Sequence, residues 1–223
     1  MSSSSVVAAW TAAVANVLLA FVAAFQDTIR RALHHPLIQL EMTSVRPDCQ
    51  KITMPGLNGQ AVDCYWFRIR AWNRGGASAQ DVEVYAANLE ERRDNHYSTC
   101  AWFLPMRLVW SHTGRPLAKH IAPNTYKHCE IGRIVDPQSR NLVIDDLPDT
   151  PREDCCLRLF TEAVPVNRRH VLYSGQYRLT LVVSGRDVPA ESWTAHITIP
   201  HGWEPDEQRM LGRGLVTVSP ALR

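Results

Sequence analysis

The sequence predicts a mainly β protein: an antiparallel two-sheet sandwich preceded by one N-terminal transmembrane α-helix. Three observations predict it. Residues 6–25, VVAAWTAAVANVLLAFVAAF, hold no charge, no proline and no glycine. From residue 37 onward, short runs alternate apolar and polar side chains between turn-forming residues, the period of a half-buried strand. Helical periodicity of useful length is missing from 37–200, so the crossover helices of a parallel sheet are not there.

The N-terminal element comes first. An apolar run of about 20 residues at about 1.5 Å per residue matches the roughly 30 Å hydrocarbon core of a bilayer. Trp10 stands near one end and Phe25 at the other, as an aromatic belt has them, with Leu18, Leu19 and Phe21 between. A cleaved signal peptide and a buried helix of a soluble domain are the competing readings. The segment MSSSS before the run carries no Lys or Arg, against the basic start of a signal peptide. Arg30 and Arg31 follow the run, and basic residues favour the cytoplasmic side. The expected protein is single-pass in the inner (plasma) membrane, with its N-terminus outside and its main domain cytoplasmic. Residues 26–35 continue the helix until Pro36 disfavours it. Ala9/Ala13 and Ala20/Ala24 form small-xxx-small pairs, the pattern of a homo-oligomer held through its transmembrane helix.

The chain thus divides into 1–36, the transmembrane and juxtamembrane helix; 37–200, the β domain; and 201–223, a C-terminal tail. Expected strands fall at 37–42, 64–72, 81–87, the second half of 101–110 after Pro105, 125–135, 155–164, 176–185 and 193–199. In CYWFRIRAW (64–72), Tyr65, Phe67, Ile69 and Ala71 share one face and Trp66, Arg68, Arg70 and Trp72 the other. In 176–185, Tyr177, Leu179, Leu181 and Val183 share a face. EERRDN (90–95) reads as a charged tip, and 43–63, 111–124 and 136–154 as irregular loops rich in Pro, Gly, Asn and Asp. In the tail, EPDEQRML suggests a helical turn and GLVTV a short strand.

YWFRIRAWNRGGASAQDVEVYAA (65–87) resembles the paired strands of bacterial immunoglobulin-like or CARDB-type sandwich domains. SGQYRLTLVVSG with WTAHITI resembles the closing hairpin of that class, with Tyr177 placed like a tyrosine-corner residue. The order of anchor, basic flank and sandwich is similar to a group of bacterial membrane-anchored proteins. The resemblance implies an immunoglobulin-like fold and membrane anchoring. It implies no activity and carries over no site residue.

Chemistry is sparse. Lys and Arg total 24 against 22 Asp and Glu, a net charge of +2, too balanced for a nucleic-acid-binding domain. Phosphate-binding glycine loops, the GxSxG elbow and HExxH do not occur, and no cofactor is expected. Asp145, Asp146 and Asp149 read as a solvated acidic loop. His112, His120, His128 and Cys129 fall within 18 residues and form a weak candidate metal set, the bland alternative being loop histidines beside a buried thiol. The six cysteines contain no CxxC pair, and in a reducing compartment they serve as small buried hydrophobes; Cys49 and Cys64 are the pair best placed to close a loop. The face of Trp66, Arg68, Arg70 and Trp72 is the candidate partner-binding surface, because Trp and Arg concentrate binding energy at interfaces. The alternative is that loops cover these rings and that acids such as Glu83, on an adjacent strand, pair with the arginines. The function expected is a membrane-tethered, non-enzymatic interaction module with the lipid bilayer and a protein as partners. A metal- or ligand-binding enzyme domain and an extracytoplasmic disulfide-containing domain are the alternatives.

Overall fold

The computed structural model describes residues 3–33, 35–143 and 154–221. Asp145, Asp146 and Asp149 lie outside them. The chain divides into two compact units, residues 1–35 and 36–223.

The first unit is one helix, α1 (Ser3–Leu33). Its side chains are described at residues 10–23, 25 and 26, so those of Arg30 and Arg31 lie outside the described set. Trp10, Leu18, Leu19, Phe21 and Phe25 are all exposed. Among the described residues no helix is long and apolar enough to cross a membrane. The structure therefore shows α1 as a helix and does not show it as a membrane span.

The second unit is built from strands. In chain order they are β1 (Ile38–Glu41), β2 (Cys49–Pro55), β3 (Ala61–Asn73), β4 (Ala79–Arg93), β5 (His96–Thr99), β6 (Met106–Arg107), β7 (Ala118–Ile121), β8 (Tyr126–Val135), β9 (Cys156–Leu159), β10 (Val171–Tyr173), β11 (Gly175–Arg186), β12 (Val188–Ile199) and, after the short helix α2 (Glu207–Leu211), β13 (Val216–Pro220). They form two antiparallel sheets. The first has the order β1-β3-β8-β9-β10, with β2 also on β3. The second has the order β13-β12-β11-β4-β5, with β6 and β7 also on β4.

Alternation explains which faces are buried. Tyr65, Phe67, Ile69 and Ala71 of β3 are fully buried in the main core, and Leu179, Leu181 and Val183 of β11 meet them there from the other sheet. Tyr177 joins them at 4% exposure. The hairpin β11–β12 pairs Tyr177 with Ile197 and Leu181 with Trp193. Residues 90–95 form a charged tip, exposed from Arg92 onward. They lie in a second hairpin, whose turn residues Asp94 and Asn95 both take positive φ, 46° and 69°, the requirement of the primed turn that matches strand twist.

Two expectations are corrected here. The strands at 64–72 and 81–87 are not paired, because β3 and β4 lie in different sheets. The chain arches between the layers instead, held by the buried Asn73, whose Nδ2 donates to the Ala77 and Ile121 carbonyls at 2.7 and 2.9 Å. Its Oδ1 accepts from the Leu37 and Gly75 amides at 3.2 and 3.0 Å. A buried amide with its hydrogen-bonding capacity used fixes a crossing that a hairpin turn does not need. Glu83 is accordingly remote from the β3 arginines. It accepts from Arg107 at 3.1 Å and Tyr85 at 2.8 Å in the second sheet.

All six cysteines are free and buried. Cys49 lies opposite Phe67 and packs in the main core, whereas Cys64 belongs to a second cluster with Val62, Val135 and Val143. The two thiols therefore project from opposite faces of one β-hairpin, where no disulfide reaches. Burial pushes the Cys49 thiol up to about 12, with the neighbouring Asp48 charge adding to it. Cys155 is pushed up to about 12, again chiefly by burial. The thiolate is the reactive form, so in the native protein at pH 8 no thiol is expected to react within minutes with an aromatic disulfide reagent. All six are expected to react in guanidinium chloride, and absorbance of the released thiolate counts both.

Candidate binding site

The outer face of the first sheet is where the expected aromatic–arginine ladder lies, and it is not an open surface. Trp66 stacks on Phe160 with ring centroids 4.7 Å apart, and its indole N–H donates to the Glu130 carboxylate. Arg68 donates to the Pro47 carbonyl at 2.6 Å. Arg70 reaches Asp48 at 3.1 Å. Trp72 lies 4.5 Å from the Tyr126 ring, and the Arg74 guanidinium sits 4.1 Å from its centroid. The four side chains are thus occupied within the domain, by partners from the 43–48 turn, β8 and Phe160 and not from β4.

Asp48 organises the middle of this face. It is fully buried. Besides Arg70, its carboxylate accepts from the Thr43 amide at 2.8 Å and the Thr43 hydroxyl at 2.9 Å, and lies 3.3 Å from His128 Nε2. Burial alone raises such a carboxyl, but the bonds from His128 and Thr43 and the Arg70 charge outweigh it, so the group is held below the usual carboxylate range. Nothing in the sequence marks Asp48 apart from the other acids. Its one local signal is its place in the Arg-Pro-Asp-Cys turn.

A cavity of about 610 Å³ adjoins this network. Its position follows from a strand that changes sheets. Residues 106–107 pair with β4 in the second sheet, but Trp110 bridges Cys129 of β8 in the first. The Ser111 amide then donates to the His128 carbonyl at 2.9 Å, and β7 returns to β4. The detour leaves a concave corner between the 110–120 segment and the start of β8. Because Trp110 and Cys129 face the core, their neighbours Ser111 and His128 face outward, opposite one another.

The chain matches no family model, no curated protein and no solved structure. Its site must be read from its own geometry.

His112, His120 and His128 all line the cavity, although they come from a turn, β7 and β8. Cys129 does not. It is fully buried in the core and its thiol points to the Val109 carbonyl at 3.4 Å. A strand alternates its side chains, so His128 and Cys129 cannot serve one ion. Among the described residues no three His, Cys, Asp or Glu side chains are grouped to hold a metal. The same alternation, applied to 128–129 alone, was sufficient to separate this pair in the sequence. The rest of the lining is apolar, hydroxyl-bearing or cationic: Trp110, Leu117 and Tyr126 form walls, Ser111 and Thr113 bring hydroxyls, and Arg115, Lys119 and Lys127 contribute charge, with no carboxylate among the lining residues.

Proposed function

We propose that the protein is a membrane-tethered, non-enzymatic binding module, with an immunoglobulin-like β-sandwich held at the cytoplasmic face of the inner membrane by α1. One observation carries the tether. Trp10 (69%), Leu18 (59%), Leu19 (67%) and Phe21 (57%) of α1 are exposed. At 3.6 residues per turn, Leu19 lies across the helix from Trp10 and Phe21. A helix apolar all round belongs in a membrane or a large core. The uncharged run 6–25 and the arginines after it support the same reading. The formed cavity in the β domain supports a binding role.

The test uses the full chain. After alkaline carbonate washing, wild-type protein is expected in the membrane pellet and the double variant Leu18→Arg, Leu19→Arg in the supernatant, since each centrally placed Arg costs about 3 kcal/mol of insertion. A topology reporter fused after residue 223 is expected to be active only in the cytoplasm. Wild-type protein in the supernatant would sink the tether, and a reporter active outside would invert the topology.

A further inference from the structure

We infer that the cavity at the 110–128 corner binds an amphiphilic anion: an apolar or aromatic body carrying one carboxylate or phosphate. The inference deepens the binding role proposed above. Three independent features point the same way. First, the walls supplied by Trp110, Leu117 and Tyr126 favour an apolar body, and Leu117 and Tyr126 remain 37% and 39% exposed. Second, Arg115, Lys119 and Lys127 are exposed residues of the lining, and no carboxylate is among the lining residues. Elsewhere in the domain several arginines are matched by acids, as Arg107 is by Glu83 and Glu162 and Arg186 by Asp81. A one-signed cluster beside a low-dielectric wall concentrates an opposite charge. Third, Ser111 lines the cavity, and its Oγ is buried without a hydrogen-bond partner. Buried hydroxyls are ordinarily paired, and an anionic oxygen accepts from a hydroxyl.

The Asp48 carboxylate does not oppose this charge. Asp48 sits behind His128, and its bonds to Arg70 and Thr43 occupy it. A volume of about 610 Å³ lies in the range of small-molecule sites, so the ligand is a compact molecule or the end of an acyl chain.

The experiment uses full-length protein in phosphatidylcholine nanodiscs, which present no net-charged lipid. Isothermal titration with 2-naphthoate is compared with its neutral isostere 2-naphthamide, and with inorganic phosphate as a charge lacking a body. Naphthoate is expected to bind at least about tenfold tighter than either, because a charge-assisted bond adds more than a neutral one. Lys119→Glu with Lys127→Glu is expected to remove that preference. Both lysines are exposed, so circular dichroism and melting temperature should match the wild type. Ser111→Val is expected to weaken naphthoate several-fold and to leave naphthamide unchanged. Nanodiscs doped with lysophosphatidate distinguish the source: competition with naphthoate means a lipid-derived ligand, and no competition means a soluble one. Equal affinity for naphthoate and naphthamide, no binding of either, or a charge-reversed variant that keeps its preference would overturn the assignment. Naphthoate binding by a protein that washes off the membrane would remove the tether and leave this site standing.

Discussion

Replacing Trp66 with Ala is expected to destabilise the β domain by about 3 kcal/mol, the low end for truncating a large aromatic packed against its neighbours. The ring has three separate ties: the stack on Phe160, the Arg133 guanidinium 5.7 Å from its centroid, and the indole N–H to Glu130. Ile52 and Met54 pack with it against the second cluster. Glu130 is only 8% exposed, so losing its donor leaves a mostly buried carboxylate short of a partner. Trp66→Phe keeps the stack and loses the N–H, with an expected cost of about 1–2 kcal/mol. Urea titration of the full chain should rank the midpoints as wild type, then W66F, then W66A, with slopes unchanged. For a domain of this size the Trp66→Ala loss corresponds to a fall in Tm of roughly 6–12 °C. If Trp66→Ala melts with the wild type, the indole is spare surface, and the partner-binding role of Trp66, Arg68, Arg70 and Trp72 returns as the better account.

That contrast shows where the sequence was legible. The faces of β3 were readable because period-two alternation runs without a break from Tyr65 to Trp72, and β11 likewise displays Tyr177 to Val183 on one side. The partners of those faces were not readable. Phe160 and Glu130 lie 94 and 64 positions from Trp66 in the chain, and local pattern carries no information about which strand lies alongside. β2 and β7 were hidden for a different reason. Each pairs on a sheet edge, and their sequences, CQKITMP and AKHI, lack a run of alternating apolar residues. An edge strand needs little apolar surface of its own, so composition made both look like loop. The passage from β3 to β4 misled because Asn-x-Gly suits a hairpin and an arch equally; the choice was made by Asn73 side-chain bonds to residues as distant as Ile121. At the cavity, the three histidines spaced eight apart line one space, with no metal-binding group among the described residues. They converge, but with lysines and an arginine, and a pattern search for ligands does not count the charges beside them.

Asp48→Ala is expected to be the more damaging of the two changes at neutral pH, costing about 3–5 kcal/mol, the range for breaking a buried ion pair by removing one partner. The carboxylate joins three separate parts of the first sheet: Thr43 beside β1, Arg70 on β3 and His128 on β8. Its loss strands Arg70, which is only 20% exposed at the side chain. The same group makes the cost depend on pH with a definite sign. The folded carboxyl is held below its ordinary value, so the unfolded chain binds more protons and stability rises with pH through that interval. The contribution is fully present above the unfolded value of about 3.9 and is lost as pH falls through the folded value. The gap in urea midpoint between wild type and Asp48→Ala should therefore narrow below about pH 4. Asp48→Asn retains an acceptor for Thr43 and lacks the charge, so it should fall between the two and show less of the acid dependence. A gap that stays the same down to pH 3 would mean that Asp48 contributes shape and hydrogen bonds but no ionised charge. Because His128 lines the cavity and rests on Asp48, the variant carries a second expectation: weaker 2-naphthoate binding, through a displaced wall, at a pH where the domain is still folded.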